Sequence, residues 1–150
     1  MEQNAAISGW GWYSPAQVVT NRDLQERVGT TDDWVRTRTG IRERRLAGPG
    51  ETTATMSVRA ARQALAAAGL SPRDLDLIVC ATTTPDHLLP ATACLVQQQL
   101  GADRAGAFDL NAACSGFLYG LAAGTQFIRA GTCRRVLVVA GETLSRFVNW

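Results

Sequence analysis

Cys114 stands where the chain changes from strand to helix, and that placement is what can make a thiol a nucleophile. Ala105 to Leu110 reads as a short apolar strand, and Ser115 to Ile128 places Phe117, Leu118, Leu121, Phe127 and Ile128 on one helical apolar face. The first amides of a helix lack intrahelical acceptors and carry the positive end of its dipole, so a thiolate there is stabilised and a nearby oxyanion finds donors. That contribution is only about 0.3 to 1 kcal/mol, so local structure primes Cys114 in part. Its neighbours Ala112, Ala113, Ser115 and Gly116 are small enough to admit a substrate carbonyl. The competing reading is a buried structural thiol at a helix start.

A second pair of residues with chemistry in it is Trp34 and Arg38. A short helix is expected to begin at Thr30 or Thr31, since Thr30 with Asp33 has capping character and Asp32 and Asp33 suit a first turn. Trp34 and Arg38, four apart, then share a face. Guanidinium suits planar stacking and bidentate phosphate contacts, but an arginine stem covering a half-buried indole is an equally ordinary arrangement. Arg36, Arg42, Arg44 and Arg45 add a basic patch that either meets an acidic partner or is a solvated face.

The elements that must position these residues alternate. Ala5 to Trp12 suggests a first strand, and Asn21 to Val28 a short helix after Thr20. Ile41 to Leu46 reads as extended, and Thr53 to Ala68 as an alanine-rich helix stopped by Gly69. Ser71-Pro72-Arg73-Asp74 is an N-cap with proline at the first helical position. Leu77 to Thr82 is a continuous apolar strand, Pro90 opens a helix to Leu100, and Arg135 to Ala140 is a further strand, both strands being expected to be buried on two faces. The pattern predicts an α/β layered protein with a mainly parallel sheet, with no internal repeat and no linker.

At 150 residues, 46% hydrophobic and net charge +2, the chain can bury one sizeable core, and its balance implies neither nucleic acid nor membrane. No run is long enough for a membrane span and no secretion signal is visible, so a cytoplasmic location is the expectation. Cys80, Cys94, Cys114 and Cys133 are unevenly spaced and His87 is the single histidine, so four reduced thiols and no metal are expected. Cys80 and Cys94 read as small core residues.

Three stretches together resemble the β-ketoacyl-acyl carrier protein synthase III family of the thiolase superfamily. They are Thr31-Asp-Asp-Trp-Val-Arg-Thr-Arg-Thr-Gly-Ile-Arg-Glu-Arg44, Ala81-Thr-Thr-Thr-Pro-Asp-His-Leu-Leu-Pro-Ala-Thr-Ala-Cys94 and Asp109-Leu-Asn-Ala-Ala-Cys-Ser-Gly-Phe117, in matching order and spacing. The resemblance implies a thiolase-like layered fold, with residues 1–150 the N-terminal half of an α-β-α-β-α sandwich carrying a mainly parallel mixed sheet. It implies that Cys114 takes an acyl group from acyl-CoA, which is then condensed with malonyl-acyl carrier protein, with no cofactor beyond acyl-CoA as substrate. It carries CoA contacts onto Trp34 and Arg38 with Thr30 nearby, and it makes Leu89 a residue that crosses a homodimer interface and limits the partner's acyl pocket. Leucine there, in place of an aromatic ring, suggests tolerance of longer or branched primers. The family's histidine and asparagine for condensation lie in its C-terminal half, and neither His87 nor Asn111 matches them. Two rivals stay open: a synthase III-like acyltransferase of secondary metabolism, and a non-catalytic fragment or dimerisation module.

Overall fold

Leu77-Ile-Val-Cys-Ala81 is apolar at every position, and such a strand is stable only with both faces covered. In the computed structural model, which describes residues 4–149, it is the middle of a sheet. The helices and strands, in chain order, are β1 (Gln17–Thr20), α1 (Asn21–Val28), α2 (Asp32–Thr39), β2 (Glu43–Leu46), α3 (Thr53–Ala68), β3 (Leu77–Ala81), α4 (Thr92–Leu100), β4 (Gly106–Leu110), α5 (Gly116–Arg129) and β5 (Val136–Ala140). The chain divides into two compact units, residues 1–13 with 52–142 and residues 14–51 with 143–150.

The larger unit is a parallel sheet in the order β4-β3-β5, with Leu77 beside Gly106 and Val136 and Ala81 beside Leu110 and Ala140. One face carries α3 and α4, whose Ala54, Val58, Ala61, Leu65, Ala93 and Val96 pack with Ile78, Cys80, Leu137 and Val139. Ile78 and Val79 are fully buried, each contributing about 1.5 to 3 kcal/mol by burial. β5 is covered less completely than expected: Leu137 and Val139 are buried, while Val136 and Val138 are only partly so.

α5 covers the other face, and it turns a different side to the sheet than its large apolar residues suggest. Gly116, Gly120 and Gly124 are its buried positions. A Cβ at these three would stand 3.1 Å from Ala81 Cβ, 2.8 Å from Val138 Cγ1 and 3.1 Å from Val136 Cγ1, so the helix lies too close to the strands for a side chain at Gly120 and leaves only a tight fit at Gly116 and Gly124. Phe127 does pack inward, but Phe117, Leu118 and Tyr119 remain exposed.

Two boundaries differ from expectation for physical reasons. Residues 5–12 form no strand; Gly9 and Gly11 press against Ala64 and Ala60 of α3, and the Trp12 N–H donates to Gln63 Oε1 at 3.4 Å. The helix expected from Pro90 begins at Thr92, after a cis Leu89–Pro90 bond and an Ala91 cap that offers no side-chain acceptor. Its first amides are satisfied from a distance: Asp109 of β4 accepts from Thr92 N at 2.8 Å and Ala93 N at 2.7 Å. Asp76 likewise accepts from the Arg134 and Arg135 amides, which hold its carboxyl below the usual carboxylate range.

The smaller unit is built around an antiparallel β1–β2 pair, with Gln17 opposite Leu46 and Thr20 opposite Glu43. The Thr20 side chain caps α1 in a box with Asp23, and Thr31, not Thr30, caps α2 by accepting from Trp34 N at 3.1 Å. Asn21, 1% exposed, joins the parts. Its Nδ2 donates to Asp32 Oδ1 and to the Ile41 carbonyl, each at 2.8 Å, and its Oδ1 accepts from Arg44 at 2.7 Å. The Asn21 bond is the main reason the Asp32 carboxyl lies below its ordinary range.

Candidate active site

In a parallel sheet the strand ends that point the same way gather loops at one edge, where ligands bind in open α/β folds. The C-terminal ends of β3, β4 and β5 are such an edge, tied by Thr82 N donating to Leu110 O at 3.1 Å and Gly141 N to Ala81 O at 3.3 Å. Cys114 sits just beyond it. It lies in a single 3-10 turn, Ala113–Ser115, that runs directly into α5. The preceding residue, Ala113, has φ of 47°, a left-handed conformation that costs a non-glycine residue on the order of 1 kcal/mol or more. The strained turn and the glycine-packed helix behind it hold an exposed thiol at the sheet edge.

A cavity of about 250 Å³ opens there, lined by Ala81, Ala113, Cys114, Gly116, Phe117, Ala140, Gly141 and Glu142. Except for Phe117 and Glu142 its walls are small, so a carbonyl can approach the sulfur. The other thiols are in different situations. Burial pushes Cys80 up to about 12, the Asp109 carboxylate adding to the rise and the Ser57 hydroxyl opposing it. Burial also raises Cys133, with Asp76 contributing, while Cys94 is half-buried in α4. Cys114 is the one exposed thiol among the described residues.

In the smaller unit Trp34 is 52% exposed, with the Arg38 guanidinium 4.6 Å from its ring centroid. This is a cation–π stack on an accessible indole. At that spacing Arg38 fills one ring face, so a planar ligand would take the other face or Arg38's place.

The match to known proteins is extensive. The model of the 3-oxoacyl-[acyl-carrier-protein] synthase III family matches residues 108–150, which include Cys114. The whole chain is 54% identical over 150 residues to a β-ketoacyl-[acyl-carrier-protein] synthase III of Roseiflexus castenholzii, of which it covers 46%. The chain is homologous to synthase III along its full length. Its fold agrees: the crystal structure of the synthase III of Aquifex aeolicus superposes with a TM-score of 0.93 at 51% identity, over 96% of this chain and 46% of that one. The priming β-ketosynthase of the R1128 polyketide pathway gives 0.93 at 40% identity, over 96% and 43%. The chain spans about half the length of these synthase III relatives, corresponding to their N-terminal half, and its fold is the thiolase-like α/β fold.

Of the residues singled out from sequence, Cys114 borders the cavity and Trp34 and Arg38 meet each other. Thr30 is half-buried between α1 and α2 and is not the cap. Leu89 is 84% exposed beside an equally bare Leu88 in the loop before α4. His87 and Asn111 are exposed and do not line the Cys114 cavity. The basic patch is largely committed internally: Arg44 donates to Val19 O and Asn21, Arg45 to Pro15 O and Ala16 O, and Arg36 pairs with Asp32 at 3.4 Å. No three His, Cys, Asp or Glu side chains cluster as a metal site among the described residues, and no helix there is long and apolar enough to cross a membrane.

One lining residue went unread in the sequence. The Glu142 carboxylate accepts from Thr82 Oγ1 at 3.4 Å, Thr83 N at 2.8 Å, Thr83 Oγ1 at 3.0 Å and the Thr84 hydroxyl. The signal was present: three threonines follow β3, Glu142 follows β5, and parallel register sets those strand ends side by side.

Proposed function

We propose that this chain supplies the acyl-capturing part of a synthase III-type condensing enzyme that starts fatty acid or polyketide chains. The Cys114 thiolate attacks the carbonyl of an acyl-CoA; the new C–S bond forms, the bond to the CoA sulfur breaks, and CoA leaves as its thiol after taking up a proton. The observation that carries this reading is the exposed Cys114 on a strained turn at the edge of a cavity of small residues. The names of its relatives support it. Trp34 and Arg38 are proposed to take the adenine and phosphates of CoA, with Thr30 as a polar contact, so that acyl-CoA is a substrate and no resident cofactor is called for. Condensation with malonyl-acyl carrier protein is assigned to a C-terminal half, in the same chain or another. The exposed Phe117, Leu118 and Tyr119 of α5 offer that half an apolar surface.

Intact mass before and after incubation with acyl-CoA tests the first step. The expected result is a gain of one acyl group on Cys114, absent from Cys114→Ala. No gain, or one that survives the substitution, overturns the reading and favours an inert fragment. In a homodimer, Leu89 is proposed to face the partner's acyl pocket, and its 84% exposure suits a residue covered by another chain. Priming rates with acetyl-, isobutyryl- and octanoyl-CoA are expected to favour the longer or branched groups; a sharp acetyl preference would refute that role.

A further inference from the structure

α2, which carries Trp34 and Arg38, is eight residues long and buries none of them. A helix that short is marginal in water by itself, so its support comes from elsewhere in the smaller unit. The side chain that reaches it is Asn21, at the start of α1 and 1% exposed. The Asn21 amide nitrogen has two hydrogens, and both go to the boundaries of α2. One is donated to Asp32 Oδ1, at the first residue of the helix, and the other to the carbonyl of Ile41, just past its Gly40 cap, each at 2.8 Å. Asn21 is itself held: its N–H donates to Arg42 O at 3.3 Å, and its Oδ1 accepts at 2.7 Å from Arg44, which also donates to Val19 O at 3.2 Å. Arg44 can only donate, and the ionised Asp32 carboxylate and the Ile41 carbonyl can only accept, so the amide has a single orientation. One buried group thus grips the helix at both ends.

We propose that Asn21 is the positioning residue of the Trp34–Arg38 stack, holding α2 so that the exposed indole keeps one place from which to receive the adenine of CoA. This rests on the reading of that pair as the CoA contact, and it adds a residue that never touches the ligand. The other bonds of α2 do less to place it. Arg36 and Asp32 form an exposed pair, of the kind that contributes little, and the Thr31 bond to Trp34 N is a local cap that ties the helix to no other element. Losing the Asn21 amide frees both ends of α2 at once. Ordering the helix then becomes part of the cost of binding, so affinity falls although every side chain that meets the ligand is still present.

The indole N–H signal of Trp34 in two-dimensional NMR of the full chain, assigned by its loss in Trp34→Phe, reads both the stack and the binding of CoA. Asn21→Ala is expected to move or broaden that signal before any ligand is added, and to raise the Kd for CoA about tenfold. Val19→Ala removes buried volume from the same unit and breaks no bond to α2, so it is expected to leave signal and affinity at their wild-type values even where it costs stability. Asn21→Asp sets a carboxylate against that of Asp32 and is expected to weaken binding further. Adding Asp32→Asn restores one donor–acceptor pair across the same gap, and is expected to recover part of the affinity, a rescue that a misfolded variant could not give. An unchanged signal and Kd in Asn21→Ala, an equal loss in Val19→Ala, or no recovery in the double variant overturns the positioning role. The two readings fail separately. If CoA leaves the Trp34 signal of the unmodified chain unmoved, the CoA contact falls, and the ligand-free shift in Asn21→Ala with its recovery in the double variant still decides whether Asn21 sets the stack. If CoA binds the unmodified chain and Asn21→Ala alike, the positioning role falls and the CoA contact stands.

Discussion

The unit that carries Cys114 and the unit that carries Trp34 are stabilised by different physics. In the first, α3, α4 and α5 bury an apolar sheet, and a stripe of glycines brings one helix down onto the strands. In the second, α2 buries no residue at all, and a polar side chain, Asn21, sits at the centre where an apolar one would be expected. Cys114 thus rests on close packing, which tolerates little displacement. The stacking pair rests on caps and hydrogen bonds, which leave its indole in water. The acyl-accepting role proposed for Cys114 calls for the first kind of support. A stack over a planar group has looser tolerance and can be served by the second.

The sharpest way to break this contrast is to add volume under α5. Gly120→Val would set a Cβ 2.8 Å from Val138 Cγ1, and both side chains are β-branched and cannot swing away. The expected cost is about 3 kcal/mol or more in denaturant unfolding, with loss of Cys114 acylation. Trp34→Ala, on a helix with no buried residue, is expected to change stability by less than about 0.5 kcal/mol while weakening CoA binding. Equal stability losses for the two would show that the units are not built differently.

What could be read in advance follows the same division. β3, α3 and α5 were legible because burial writes itself into the sequence as apolar runs and alanine periodicity, and the placement of Cys114 between strand and helix was legible because the two elements flank it directly. The orientation of α5 was not, since large apolar residues at helical spacing normally mark the buried side. Here the small ones do, which only the facing valines explain. The start of α4 was missed because its cap, Asp109, comes from a strand later in the chain. β1 was missed because its four residues pair with a segment more than twenty positions away and only Val19 is buried. Glu142 was missed for a related reason: its partners lie about sixty residues earlier, and only the parallel register brings them together.

The polar side of the comparison is broken most directly at Asn21. Asn21→Ala removes three hydrogen bonds at a buried position and leaves the Ile41 carbonyl and the Arg44 guanidinium short of a partner. A loss of about 2 kcal/mol is expected, most of it the penalty of the groups left behind. Hydrogen exchange reads where it falls: protection should drop most across residues 17–46 and least across Leu77–Ala81. A uniform loss would mean that the polar hub and the sheet form one cooperative structure.

The two regions also differ in which end of the pH scale unsettles them. In the smaller unit, hydrogen bonds from Thr20 and Asn21 hold the Asp23 and Asp32 carboxyls below the ordinary carboxylate range, near 3.8. Their contribution is present above that value and is lost as pH falls below it. The sheet has its own acid-sensitive carboxyl in Asp76, but it alone carries an alkaline liability, because burial raises Cys80 from 9.0 to about 12. A thiol that ionises in the unfolded chain before it can do so in the folded one draws the equilibrium toward unfolding. Stability is therefore full below about pH 9 and declines as pH rises toward 12, by about 1.4 kcal/mol between pH 8 and pH 10. Cys80→Ala, though less stable throughout from the lost volume, should show a correspondingly flatter decline over that interval in urea unfolding. A decline as steep as that of the unmodified chain would place the alkaline liability elsewhere, with Cys133, also raised by burial, the next thiol to substitute.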